Sequence, residues 1–223
     1  MSGPRSAVPQ RFYKHLYKAF GPQGWWPARS PFEVMAGAML TQATSWHNVE
    51  LALARLKRTG PLTPHRIAAM PLSGLARAVR PAGFFRQKAQ RFSRFARWYV
   101  RRYGGRPAAM FRGRWPATRR ELLSLPGIGP ETADAILLYA GALPVFVVDA
   151  YTTRIFRRHR LIGRRATYGQ IQRLVMRSMR ARAGTYNEFH ALLVEVGKRY
   201  CRRRQPDCAH CPLGEFPHSK GEG

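Results

Sequence analysis

Leu125-Pro126-Gly127-Ile128-Gly129-Pro130 obliges the chain to reverse between two helices. The glycines permit positive φ, and proline is tolerated in the first turn of a helix, so Pro130 opens the second one. Upstream, Leu122-Leu123-Ser124 closes a short apolar helix; downstream, Val145-Phe146-Val147-Val148 forms an apolar run that stops on Asp149. With few side chains in the way, successive backbone N–H groups at the turn point outward beside a positive helix N-terminus, an arrangement that suits a phosphate. An acid at the end of an apolar run sits at the edge of a core, where carboxylates tend to be desolvated and functional. The same residues also fit an ordinary helical corner in which Asp149 only caps the next helix.

Helical periodicity dominates the rest, with no convincing alternating strand pairs. It predicts helices over 10–20, 31–44, 46–59, 63–70, 73–80, 85–104, 118–124, 130–141, 149–160, 167–181 and 185–200. Breaks fall at Gly21-Pro22-Gln23-Gly24, Thr59-Gly60-Pro61, Arg80-Pro81-Ala82-Gly83, Gly104-Gly105 and Gly163. The expected fold class is all-α.

The 39 Lys and Arg against 11 Asp and Glu give a net charge of +28, spread over nearly the whole chain. Such a field favours a polyanion, DNA or RNA. An arginine-rich proteome would explain much of the arginine excess over lysine, but not the scarcity of acids, because a soluble surface normally mixes both signs. Asp134, Glu121 and Glu188 fall within helical patterns as solvated or pairing positions. No apolar run is long enough to span a membrane and the N-terminus lacks the apolar stretch of a signal peptide, so a soluble intracellular protein, cytoplasmic and nucleoid-associated, is expected.

Hairpin, spacing and acid together resemble the helix-hairpin-helix of the endonuclease III-like DNA glycosylases. That resemblance extends from about Phe32 through Cys211. It implies a two-lobed fold: a helical barrel over 31–140 carrying the hairpin, and a second lobe of 1–30 with 141–223 carrying Asp149 and a C-terminal cysteine loop. It also implies a monomer acting on double-stranded DNA with a damaged base. Gly127, Ile128, Gly129, Glu131 and Thr132 would meet the DNA backbone, and Asp149 would be catalytic. Cutting an N-glycosidic bond builds positive charge on the sugar, which a carboxylate can stabilise, or it can activate the attacking water. The base must first leave the stack. Gln42, in Leu40-Thr41-Gln42-Ala43, matches the glutamine that relatives insert into the gap; by itself it reads as a helix-surface residue. Trp26 and Trp46 resemble the pocket of the 3-methyladenine branch, where an electron-rich aromatic sandwich suits a cationic base, while Trp25 reads as a core anchor.

Relatives that also nick DNA place a lysine two residues after the last hairpin glycine to form a Schiff base. Here that residue is Glu131, and no lysine occurs between Lys88 and Lys198. A monofunctional glycosylase is expected. An endonuclease III-type enzyme for oxidised pyrimidines with lyase activity, and a non-catalytic DNA-binding protein, stay open as alternatives.

Cys201, Cys208 and Cys211 match the first three ligands of the family's [4Fe–4S] loop. Clustered this closely in an intracellular chain, they read as metal ligands rather than disulfide partners. Pro217 stands where the fourth cysteine belongs; His218, one step on, is a candidate ligand, and His210 offers a zinc alternative. A three-cysteine loop without a cluster is the remaining reading. Arg202, Arg203 and Arg204 in the loop are expected to meet phosphates.

Overall fold

The structure, a computed structural model, describes residues 7–219; the domain bounds and the N-terminal reading above extend in part beyond them, over 1–6 and 220–223. Among the described residues there is no strand, and the chain is all-helical as expected. The helices are α1 (Val8–Phe20), α2 (Pro31–Leu40), α3 (Trp46–Arg58), α4 (Pro64–Ala69), α5 (Leu72–Ala78), α6 (Phe85–Tyr103), α7 (Pro107–Phe111), α8 (Trp115–Leu123), α9 (Pro130–Ala135), α10 (Ala150–Arg158), α11 (Tyr168–Ser178) and α12 (Ala183–Arg199). They group into two compact units, one comprising Trp26–Leu143 and the other the chain up to Trp25 with Pro144 onward.

In the unit Trp26–Leu143, α2 is the central element. Its sequence PFEVMAGAML has no polar face, and Phe32 through Leu40 are all buried. Ser30 caps it by accepting from the Glu33 N–H. The long α6 is amphipathic and turns Phe92, Phe95 and Tyr99 inward, where Phe32 stacks on Phe92 and Tyr99 at centroid distances of 5.9 and 6.1 Å. Burial of these aromatics stabilises the unit by about 1.5–3 kcal/mol each.

Three expectations need correction here. The helix predicted over 31–44 stops at Leu40, because Ala43 takes φ +52° and Ser45 starts a new cap by accepting from the Asn48 N–H. Gln42 therefore lies in a turn, not on a helix surface. The short α7 was not foreseen, since no helix was predicted between the break at Gly104-Gly105 and residue 118. The helix predicted over 130–141 is α-helical only to Ala135 and continues as a π turn over Ile136–Ala140.

In the other unit, α1, α10, α11 and α12 surround Phe12, Phe146, Phe156, Tyr186 and Phe189, all fully buried. At the α10–α12 crossing a Cβ on Gly197 would fall 2.2 Å from Cδ1 of Tyr151, so only glycine allows the approach. The run Val145–Val148 is buried without being a strand. Its backbone is held by α11 instead: Gln172 Nε2 donates to the Phe146 carbonyl at 2.7 Å, and the Val148 N–H donates to the Tyr168 hydroxyl at 3.3 Å. Those two bonds replace the ladder that an apolar run usually finds in a sheet.

Candidate functional site

Of the two hairpin glycines only Gly127 needs a glycine's positive φ, since Gly129 takes φ −91°. Gly127 adopts φ +87°, the Ile128 N–H donates to the Leu125 carbonyl at 3.1 Å, and Gly129 begins α9 without a side-chain cap. Ile128 itself is buried, and Glu131 is exposed at the first turn. Thr132 is buried, and its hydroxyl faces Gln42. Behind the turn, Arg119 on α8 grips the fully buried Asp134 on α9 through two bonds of 2.6 and 3.0 Å. Asp134 is thus a pairing residue and not a solvated one.

Gln42 rests on this hairpin. Its Nε2 donates to the Gly127 carbonyl at 3.0 Å and to Thr132 Oγ1 at 3.1 Å, while Oε1 accepts from Arg91 at 3.3 Å. Arg91 also fills the space over Gly127, where a Cβ would meet its Cδ at 2.3 Å. Trp26 and Trp46 do come together, but edge to face at 4.9 Å and 89°, so they form an aromatic corner and not two parallel faces. Tyr139 adds a third ring, 5.1 Å from Trp26, and Gly37 lies close beneath, where a Cβ would meet Trp26 Cζ2 at 2.9 Å. The π turn aims Tyr139 there; turns of this kind are frequent at functional sites.

Sequence reasoning missed Phe84 and Lys88. Phe84 precedes α6 in the left-handed region (φ +44°, ψ +35°) and is 69% exposed, the most exposed large hydrophobic side chain among the described residues. A bulky residue held there costs about 1–3 kcal/mol, which is tolerated mainly where function needs it. Lys88 is buried, and its ammonium donates to the carbonyls of Leu40 (2.9 Å) and Ala82 (2.6 Å). Burial pushes its pKa below the usual lysine range.

In the other unit Asp149 is the N-cap of α10, with its side chain 12% exposed. Oδ1 accepts from the Thr152 N–H at 2.7 Å, and Oδ2 lies 3.7 Å from Nε2 of His190 on α12. The cap therefore engages one carboxylate oxygen only. Burial pushes the pKa of His190 down, an effect Asp149 partly offsets. His190 was not foreseen because its partner lies on another helix.

Cys201, Cys208, Cys211 and His218 line one small cavity together with Ile155 and Leu213. Cys201 Sγ accepts from Arg158 at 3.2 Å, and Gly214 makes the tight turn, where a Cβ would meet the Cys208 carbonyl at 2.5 Å. Nδ1 of His218 lies 2.8 Å from the Phe216 carbonyl; donating there, it leaves the Nε2 lone pair for a metal. His210 pairs instead with Asp207 at 2.9 Å and does not line the cavity. Among the described residues no three ligating side chains converge closely enough to hold a metal ion. Arg202, Arg203 and Arg204 are exposed. No helix among the described residues is long and apolar enough to cross a membrane.

Comparison with known proteins places these features in a family context. The family model described as "HhH-GPD superfamily base excision DNA repair protein" matches residues 36–181. A Methanocaldococcus jannaschii protein whose given name proposes a DNA repair glycosylase is 41% identical, over 94% of this chain and 96% of its own length. Endonuclease III of Thermotoga maritima is 30% identical over 86% of each. Among solved structures, H. pylori 3-methyladenine DNA glycosylase (MagIII) bound to 1,N6-ethenoadenine is similar with a TM-score of 0.73 and 28% identity, covering 87% of this chain and 97% of that one. A non-covalent endonuclease III–DNA complex gives a TM-score of 0.79 at 23% identity, a likeness of fold, over 93% and 92% of the two chains.

Proposed function

Since the chain belongs to the HhH-GPD superfamily of base excision DNA repair proteins and is a DNA glycosylase of that group, we propose that it hydrolyses the N-glycosidic bond of an alkylated base in duplex DNA and leaves the abasic site uncut. The observation that carries this reading is the divided carboxylate of Asp149: one oxygen fixed by the Thr152 N–H, the other beside His190. Held in one orientation, a carboxylate can stabilise the oxocarbenium-like sugar without reorganising during the reaction.

Gly127, Gly129 and the start of α9 serve the DNA backbone, with Glu131 and Thr132 on the first turn. Gln42 and Phe84 fill the space a flipped base leaves, and the corner of Trp26, Trp46 and Tyr139 receives the base. Electron-rich rings suit a cationic alkylated base, and the MagIII likeness supports the same substrate class. In this reading the Trp26–Leu143 unit is the barrel lobe and the remainder the lobe of the catalytic acid.

The proposed absence of a lyase step is supported by the residue at the lysine position of nicking relatives and by the setting of the lysines on either side of it in the chain. Glu131 cannot form an imine, and the ammonium of Lys88 is buried against two carbonyls. Lys198, the next lysine in the chain, lies 5.7 Å over the Trp25 ring. Incubating the protein with duplexes that each carry one modified base, with and without alkali, tests substrate and lyase together. Strand breaks are expected only after alkali and only for alkylated bases; a borohydride-trapped covalent complex that one lysine substitution removes would contradict the monofunctional reading.

An iron–sulfur cluster would be held by Cys201, Cys208, Cys211 and Nε2 of His218. When bound it would tie the C-terminal loop through metal–thiolate bonds. Anaerobically purified protein should be brown with visible charge-transfer absorbance; colourless protein with no bound iron would exclude it.

A further inference from the structure

The chain holds a buried lysine that base release does not use. Both hydrogen bonds of its ammonium go to backbone carbonyls, those of Leu40, the last residue of α2, and Ala82, the last of a 3-10 turn over Arg80–Ala82. Helix ends leave such carbonyls unsatisfied and partly negative, so a cation suits them. What makes this pair informative is where the chain goes next. Two residues after Leu40 stands Gln42, and two residues after Ala82 stands Phe84, exposed and in left-handed backbone. One ammonium thus ties together the roots of the two loops whose tips are Gln42 and Phe84.

We propose that Lys88 is a positioning residue that fixes the spacing of Gln42 and Phe84, so that both can enter the duplex at one step. This rests on the reading of those two side chains given above. A lysine is the residue for the task because its compact charge carries three donors on a long stem and can reach two carbonyls from a third element, α6. Each loop alone is weakly specified. The turn at 41–45 contains Ala43 at φ +52°, and Gly83 at φ +69° directly precedes Phe84. Without the shared cation the two tips would be set by separate loop energies.

The test uses the full protein and a duplex carrying a tetrahydrofuran abasic analogue opposite 2-aminopurine. This probe reports filling of the gap without any base release, so a protein that fills the gap but releases no base from any modified duplex would overturn the proposed function and leave the Lys88 inference standing. Wild-type protein should change the 2-aminopurine fluorescence on binding. Lys88→Met should retain affinity within about threefold, since hairpin contacts to phosphate supply it, while losing most of the fluorescence change. Release from an intact duplex should fall about tenfold or more in this variant, because flipping costs a few kcal/mol and each 1.36 kcal/mol is tenfold. Release of the same base from single-stranded DNA should stay within about threefold of wild type, since no stacked gap must be held open. A Lys88→Met protein with the full wild-type fluorescence change, or with equal losses on both substrates, would overturn the proposal. Should Lys88→Met fail to fold, Phe84→Ala at an exposed position provides the second arm: it must lose the same signal, and an unchanged signal there would also overturn the proposal.

Discussion

Replacing Asp134 by alanine is expected to destabilise the protein by about 3–5 kcal/mol, because it removes the fully buried carboxylate that holds Arg119. Asp134 is fully buried, and both of its carboxylate oxygens accept from Arg119, at 2.6 and 3.0 Å. The pair joins α8 to α9, the two helices that the hairpin connects, so its loss falls on the geometry of the turn as well as on global stability. At about 2–4 °C per kcal/mol for a chain of this size, the melting temperature should drop by about 6–20 °C. Removing both charges together, as Arg119→Met with Asp134→Leu, should cost less than Asp134→Ala alone, since no unpaired ion remains. Equal or greater loss in the double variant would show that the pair contributes through net attraction rather than by mutual neutralisation.

How far this was legible in the sequence depends on whether a residue's role is local. The hairpin could be read because Gly127 acts on its own backbone, and Asp149 because the apolar run before it must be buried wherever it packs. The end of α2 could not be read: the apolar pattern of 31–40 runs on through Thr41 to Thr44 without a strong breaker, and the turn is set by Ala43 and by the Ser45 cap. The three acids taken as solvated or pairing all prove to pair, with Glu121 on Arg102 and Tyr103, Glu188 accepting from the Gln23 N–H, and Asp134 on Arg119. Composition gave no means to tell the buried pair from the exposed ones. His190 and Arg91 escaped notice because each meets its partner across a long stretch of chain, as does Lys88 at Leu40. Phe84 escaped because an exposed aromatic leaves no periodic trace. The tryptophan pair was found, but its edge-to-face packing is a property of helix placement.

The Asp149→Asn variant carries the second large effect. Asparagine is as good an N-cap as aspartate and can still accept from the Thr152 N–H, so α10 and the fold should be unchanged. What disappears is the negative charge on Oδ2, the oxygen beside His190. Stabilisation of charge developing in a transition state is commonly worth about 10²–10³ in rate, and the loss should be of that order, at the lower end for a cationic base that departs readily. Affinity for DNA should barely move, since it comes from the hairpin and from a net charge of +28. The most direct measurement is single-turnover release of an alkylated base from one duplex by wild type and by Asp149→Asn, with affinity for that duplex determined alongside. Release slowed by about a hundredfold or more at unchanged affinity is the predicted result; release at the wild-type rate would contradict the assignment of Asp149 as the catalytic carboxylate.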